Sequence, residues 1–172
     1  MSAFSTIHGV DALKNLVAAL PAPLGPTLRD ADVKTAGWYP LPWYGAVHRA
    51  AQRITGGGLA ISREIGFVAT QADARGIYSS LLKFVEPGQL FRHADRILGL
   101  YVDGPRVVGA TITRKTAKLT VEDFFGVDEA VWENTQGSLE GLLSLAGARN
   151  VVARIVEGGD SQHRAVVEVS WR

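Results

Sequence analysis

Four histidines and no cysteine set the first limits on the chemistry open to this 172-residue chain. His8, His48, His93 and His163 lie far apart, and none forms the H-x-x-x-H or H-E-x-x-H pair that sets two imidazoles on one helix face. A metal site would have to be assembled by tertiary structure alone, and none is expected. Without cysteine there are no disulfides, thiolate nucleophiles, iron–sulfur clusters or cysteine-based zinc sites. No G-x-S-x-G elbow is present, and TGGGLAIS (Thr55 to Ser62) lacks the G-K-[ST] ending of a phosphate loop and follows a helical pattern rather than a strand. No spacing nominates a pair of carboxylates. Catalytic residues are therefore not identified, and a non-enzymatic protein is expected. His8 and His163 read as surface residues, His48 and His93 as histidines bordering apolar helix faces.

The stretch that remains is GWYPLPWY, Gly37 to Tyr44. Its prolines fix their own φ and push Tyr39 and Leu41 into extended backbone, and Pro42 suits the first turn of a following helix. Trp38, Tyr39, Trp43 and Tyr44 then either dock one end of the domain or form the mouth of an apolar pocket.

These residues must be positioned by helices first and a sheet second. Val10 to Leu20 reads as a helix, and PAPLGP (Pro21 to Pro26) as an extended connector. Tyr44, Val47, His48 and Ala51 fall at helical spacing, with the helix ending at TGGG. Ile61, Ile65, Val68 and Ala72 make one stripe of a helix over 59–76. Tyr78 to Val85 is a shorter apolar segment, and Leu90, Ala94, Ile97 and Tyr101 make a further amphipathic face. At Asp103-Gly104-Pro105 the period changes to two: Val108, Ala110 and Ile112 begin a hairpin whose second strand is expected over 118–125. A helix over 127–146 follows. Strands over 150–157 and 164–171 close the chain, with Ala165, Val167, Val169 and Trp171 on the inner face. The expectation is an α+β fold, an N-terminal helical part followed by a β-β-α-β-β four-stranded antiparallel sheet with a crossing helix. Residues 1–36 read as an N-terminal helix and proline-rich connector, and 37–172 as a single domain with a helical half (37–102) and a sheet half (103–172).

Composition agrees with a core-forming domain: 47% hydrophobic and 20% charged residues, with a net charge of +1. Nothing steers the whole chain to nucleic acid, and no apolar run is long enough to insert in a membrane. The N-terminus lacks a basic stretch before its apolar part, so a cytoplasmic location is expected. Charge is uneven locally. Arg106, Arg114, Lys115 and Lys118 form a basic run, and Glu122, Asp123, Asp128, Glu129 and Glu133 an acidic one, read as a solvated hairpin beside an acid-rich helix start or as complementary patches for a partner.

Three stretches carry a resemblance: GWYPLPWY, SREIGFVATQADARGIYSSLLKF with its Arg-x-Ile-Gly and Tyr-x-x-Leu-Leu, and NTQGSLEGLLSLAGARNVVARIVEGGDSQHRAVVEVSW. Together they resemble an uncharacterised, largely myxobacterial family related to the 4-vinyl-reductase-like and haem-nitric-oxide-binding-like superfamily. That resemblance implies the same α+β architecture, with Gly137 and Gly141 where the crossing helix meets the sheet, and a role in signalling. Haem-binding relatives use a histidine on the helix before the sheet, for which His93 in LFRHADRILGLY is the only candidate. Their Tyr-x-Ser-x-Arg signature is missing from VVGATITRKTAKLTVED, so no cofactor is expected and haem is not expected. The reading is a cytoplasmic, non-enzymatic signalling or regulatory module. It would bind a small apolar ligand, a protein partner, or both, with Trp38, Tyr39, Trp43, Tyr44, Tyr78 and His93 as ligand-binding candidates and Arg63 as a polar anchor. The alternative is a structural homodimer or scaffold subunit with a filled core.

Overall fold

The computed structural model of the chain describes residues 1–30, 37–75, 86–159 and 163–172. Helices α1 (Ser2–His8), α2 (Val10–Ala18) and α3 (Leu24–Arg29) are followed by two long ones, α4 (Leu41–Thr55) and α5 (Leu59–Arg75). Phe4, Leu16, Leu20 and Leu24 share one apolar cluster with Ala50, Ala51 and Ile65. The first thirty residues are thus built into the helical core, although the sequence set them apart as an extension.

The amphipathic face expected over Gln89 to Tyr101 is not one helix. A short α6 (Pro87–Leu90) runs into a 3-10 turn (Phe91–His93) and then α7 (Ala94–Leu98). The cause is a pair of neighbouring apolar residues drawn to different places. Leu90 joins a small cluster with Ile97, Leu142 and Leu145, whereas Phe91 enters the sheet core and stacks on Trp171 at a ring separation of 5.7 Å. Tyr101, expected on the buried face, is exposed.

The sheet comprises β1 (Arg106–Ile112), β2 (Thr116–Glu122), β3 (Val152–Gly158) and β4 (Ala165–Ser170), ordered β1-β2-β4-β3 and antiparallel at every pairing. Helix α8 (Glu129–Leu145) connects the two hairpins. Strand β2 starts and ends earlier than the sequence suggested, because Asp123 takes a left-handed φ of 60° and turns the chain toward Phe124. The inner face reads Leu119, Val167 and Ile155 across one register row, with Ala117, Val169 and Ala153 across the next. On the outer face Lys118, Glu168 and Arg154 alternate in charge across three strands, a favourable cross-strand pattern.

An exposed strand edge invites unwanted pairing, and here side chains occupy parts of both edges. On β3, Ala153 N donates to Glu140 Oε1 (3.0 Å), Ile155 N donates to Gln136 Oε1 (3.1 Å), and Arg63 donates to Ala153 O. On β1, Val107 N donates to Asp95 Oδ1 at 2.7 Å.

Gly137 and Gly141 were expected where the crossing helix meets the sheet, but they face α5 instead. A Cβ on Gly141 would come 2.7 Å from Phe67 O, and one on Gly137 would run into the carbonyl of Arg63. From the other side, a Cβ on Gly66 would run into the carbonyl of Asn134. Three glycines on two helices therefore permit backbone-to-backbone contact, and this crossing joins the helical half to the sheet half.

Candidate functional site

The aromatic corner enters this joint. Pro40 is extended (φ −56°, ψ 127°) and Pro42 lies in the first turn of α4. The next residues then point to different cores: Leu41 packs on the sheet core and Trp43 on the helical core. Tyr39 stacks on Trp43 at 6.3 Å, while Trp38 is 66% exposed.

One turn further along α4, the seam becomes polar. The Tyr44 ring shows an edge to solvent, but its hydroxyl points inward and donates to Asn134 Oδ1 at 2.8 Å. Burial pushes this phenol up to about 12, against the opposing effect of the Asn134 hydrogen bond. Asn134 Nδ2 donates to Ser62 O (3.2 Å), and Gln52 Nε2 donates to Ser62 Oγ (2.8 Å), so one network ties α4, α5 and α8. His48 is 1% exposed, meets the Tyr44 ring edge-on at 4.6 Å, and its Nδ1 has no hydrogen-bond partner among the described residues. Burial, and then the nearby α-amino group of Met1, hold its pKa down at about 4 against the pull of Asp128. The imidazole is neutral at pH 7. Asp128 closes the seam: Oδ1 caps α8 by accepting from Val131 N at 3.2 Å, and Oδ2 pairs with Arg49.

Arg63 lies on α5 across from this network. Its Nε and Nη2 hold Glu140 at 3.1 and 2.6 Å, Nη1 holds Glu133 at 3.0 Å, and Nη2 also donates to Ala153 O. The hydrogen bond to Glu140 is the main influence raising its pKa. The guanidinium braces α5, α8 and β3 together, so it is already engaged where the sequence reading offered it as an anchor for an acidic head group.

Of the sequence-predicted residues the structure pairs only Tyr39 with Trp43; Trp38 is exposed, Tyr44 turns into the seam toward Asn134 and His48, and the other candidates lie elsewhere. His93 is exposed on the 3-10 turn, and Tyr78 lies outside the described residues. Sequence reasoning missed the seam's other members: His48 as a fully enclosed imidazole, and Asn134, Gln136 and Glu140. The signal lay in ENTQGSLEG (Glu133 to Gly141), where Glu133, Gln136 and Glu140 repeat at helical spacing. Two shallow concavities, of about 420 and 510 Å³, flank Trp171 away from the corner. Among the described residues no cluster of three or more metal-ligating side chains is found. No described helix is long and apolar enough to cross a membrane.

A helical part joined through a glycine-lined helix crossing to a four-stranded antiparallel sheet defines an α+β class of domain. Solved structures of H-NOX domains share it over nearly the whole chain. An oxygen-binding H-NOX domain related to soluble guanylate cyclases superimposes with a TM-score of 0.71 at 14% identity, covering 99% of this chain and 90% of that one. A point mutant of the T. Tengcongensis H-NOX gives a TM-score of 0.71 at 13% identity, covering 99% and 92%. A structure probing haem distortion in the H-NOX family gives a TM-score of 0.71 at 13% identity, covering 99% and 90%. No protein-family model and no curated protein matches the sequence. The fold is H-NOX-like.

This likeness corrects one expectation. The sequence reading held that no cofactor was to be expected and set haem aside, whereas haem is the cofactor studied in a protein of this same fold. Two described imidazoles bear on the fit: His93, open to solvent, and His48, enclosed with a free Nδ1. Neither lines either of the two concavities beside Trp171, so neither concavity offers haem an imidazole ligand.

Proposed function

We propose that this chain is a cytoplasmic, non-enzymatic signalling or regulatory module that binds a small ligand at the joint between its helical and sheet halves. The observation that carries the reading is the H-NOX-like fold over 99% of the chain. The neighbours include an oxygen-binding domain related to guanylate cyclases, which supports a sensory role and makes haem the first cofactor to test. Within the chain, the α4–α8 seam suits a ligand best. It combines the aromatic corner, the Tyr44 hydroxyl and a His48 nitrogen without a partner. Ligand bound there would favour one packing of the halves over another.

The test is native mass spectrometry of the protein produced with haem supplied, together with its visible absorption spectrum. A single small-molecule mass per chain supports the sensor, and a Soret band identifies it as haem. Loss of that band in His93→Ala or in His48→Ala then names the ligating imidazole. Bare chain mass at every haem supply refutes the reading.

A structural subunit with a filled core is the second reading. It is favoured by the α5–α8 crossing, where three glycines leave no space between backbones. An even multiple of the bare chain mass would support it.

A further inference from the structure

The acidic and basic runs of the sequence meet different fates in the fold. Most of the acids are tied internally: Glu122 to Arg164 (3.6 Å), Asp123 to Arg106 (2.6 Å), Asp128 to Arg49 and Glu133 to Arg63 (3.0 Å). The basic hairpin gives up only Arg106 in this way. Arg114 and Lys115, at its tip, make no ion pair with any described residue. The fold places three more unpaired cations near them. Lys115 O accepts from Trp171 N at 3.0 Å, Arg172 and Arg149 exchange backbone hydrogen bonds at 2.8 Å, and Arg92 lines a concavity with Arg114 and Trp171. Five cations without an ion pair among the described residues thus gather at the Trp171 end of the sheet.

Two of them line a groove of about 510 Å³ formed by α6 with its 3-10 turn and the β1–β2 hairpin. Arg92 comes from the 3-10 turn and Arg114 from the hairpin; among the described residues Glu86 is the sole carboxylate in the lining. Pro87, Ile112 and Trp171 supply apolar wall. At Gly88 a Cβ would stand 3.4 Å from Ile112 Cγ2 and 3.9 Å from Trp171 Cζ2, so a side chain there would fill part of the floor.

We propose that this groove is a binding site for a phosphate monoester carried on an apolar or aromatic body. Guanidinium forks match the oxygens of a phosphate, and a monoester brings about two negative charges, enough to engage both arginines. The groove is far larger than a bare oxyanion, and its apolar wall accounts for the remainder of the ligand. A soluble organic phosphate and a lipid headgroup share this chemistry. The site does not depend on the sensor reading, because it lies at Trp171 and not at the α4–α8 seam.

The experiment follows amide and indole resonances of the full chain during titration with phenyl phosphate and with inorganic phosphate. In parallel, it measures sedimentation with phosphatidylcholine vesicles with and without phosphatidic acid. Saturable shifts at Gly88, Gln89, Thr113 and the Trp171 indole are expected, stronger for phenyl phosphate than for inorganic phosphate. Arg92→Gln and Arg114→Gln should each weaken binding roughly tenfold, the worth of one charge-assisted hydrogen bond. Arg149→Gln, outside the groove, should stay within about twofold, below the worth of one such bond. Phenyl phosphate binding without sedimentation assigns the soluble source, and phosphatidic-acid-dependent sedimentation lost in Arg92→Gln assigns the lipid. The two arginines lie on separate elements, so a variant that fails to fold leaves the other to decide. No saturable shift and no phosphatidic acid dependence, or binding that survives both substitutions, overturns the proposal.

Discussion

Replacing Gly137 by alanine tests the joint between the two halves through a reversal of sign. In an ordinary helix interior the change stabilises by about 1 kcal/mol, because glycine surrenders more backbone freedom on folding. At this crossing the new Cβ would run into the carbonyl of Arg63. Relief to an ordinary contact of about 3.5 Å would require α5 to withdraw by more than about 1 Å. Two groups of bonds resist that movement: the Arg63 brace to Glu140 and Glu133 at 2.6 to 3.1 Å, and the Asn134–Ser62 hydrogen bond at 3.2 Å. Overpacking costs about 1–3 kcal/mol and a weakened hydrogen bond about 1 more, so after subtracting the propensity gain the net loss is about 2 kcal/mol. For a chain of this length that is a fall of roughly 5 °C in Tm. Urea denaturation followed by the helical circular-dichroism signal reads it as a lower midpoint at unchanged slope. Gly66→Ala should behave alike. Gly45→Ala is the comparison, because its nearest neighbour is the flexible tip of Arg49 at 3.0 Å. A Gly137→Ala protein as stable as the native one, or more so, would refute the backbone-contact joint.

Three further outcomes follow from the site. His48 has a folded pKa of about 4 against an ordinary 6.5, so the unfolded chain binds its proton more readily. Stability is therefore full above pH 6.5, declines as pH falls, and has lost its whole contribution below about pH 4, a change of about 3 kcal/mol at about 1.4 kcal/mol per pH unit. Urea midpoints across this range should show the decline in the native protein and not in His48→Phe; equal profiles would sink the assignment. Trp43→Ala should cost about 2–3 kcal/mol because it opens the helical core, whereas Trp38→Ala should stay within about 0.5 kcal/mol, as thermal melts of both will show. Arg63→Met leaves two partly buried carboxylates without their donor and should cost about 2–3 kcal/mol, with Arg63→Lys recovering less than half because an ammonium cannot reproduce the fork. Full recovery by lysine would show that charge alone matters there.

Much of the sheet was legible in the sequence because its causes are local. Period-two alternation marks Ala165, Val167, Val169 and Trp171 as the inner face of the last strand, and all four are buried. The stripe at Ile61, Ile65, Val68 and Ala72 marks α5, its first three residues packing in the helical core while Ala72 is exposed, and the acid-rich start of α8 contains its cap, Asp128. What could not be read depends on which elements meet. Small residues at Gly137 and Gly141 announce a close approach, but sequence does not say whether a sheet or a helix stands opposite. Leu90, Ala94, Ile97 and Tyr101 look like one face of one helix until Leu90 and its neighbour Phe91 are claimed by different clusters. Arg63 and His48 show the same limit. An arginine on a helix face resembles a ligand anchor until the carboxylates of α8, seventy residues or more along the chain, are seen to occupy it.

Hydrogen bonds joined by one backbone link, Ser62 to Arg63, connect the aromatic corner to the sheet edge, which gives the proposed sensor a testable internal connection. The Tyr44 hydroxyl donates to Asn134, whose amide donates to the carbonyl of Ser62. Arg63, the next residue, carries the brace to Glu140 and to Ala153 on β3. A ligand that took over the Tyr44 hydroxyl would remove one of Asn134's partners, and the strain would reach β3 through two adjacent residues of α5. Continuity alone does not demonstrate energetic coupling. A double-mutant cycle of Tyr44→Phe and Arg63→Met measures it. Tyr44→Phe alone should cost about 1 kcal/mol by leaving Asn134 Oδ1 without its donor. If the network acts as one unit, the second substitution costs less once the first has loosened it, with a coupling of at least about 0.5 kcal/mol. Losses that add to within about 0.3 kcal/mol would show two independent fastenings, and a ligand at the corner would then have no route to the sheet through Asn134.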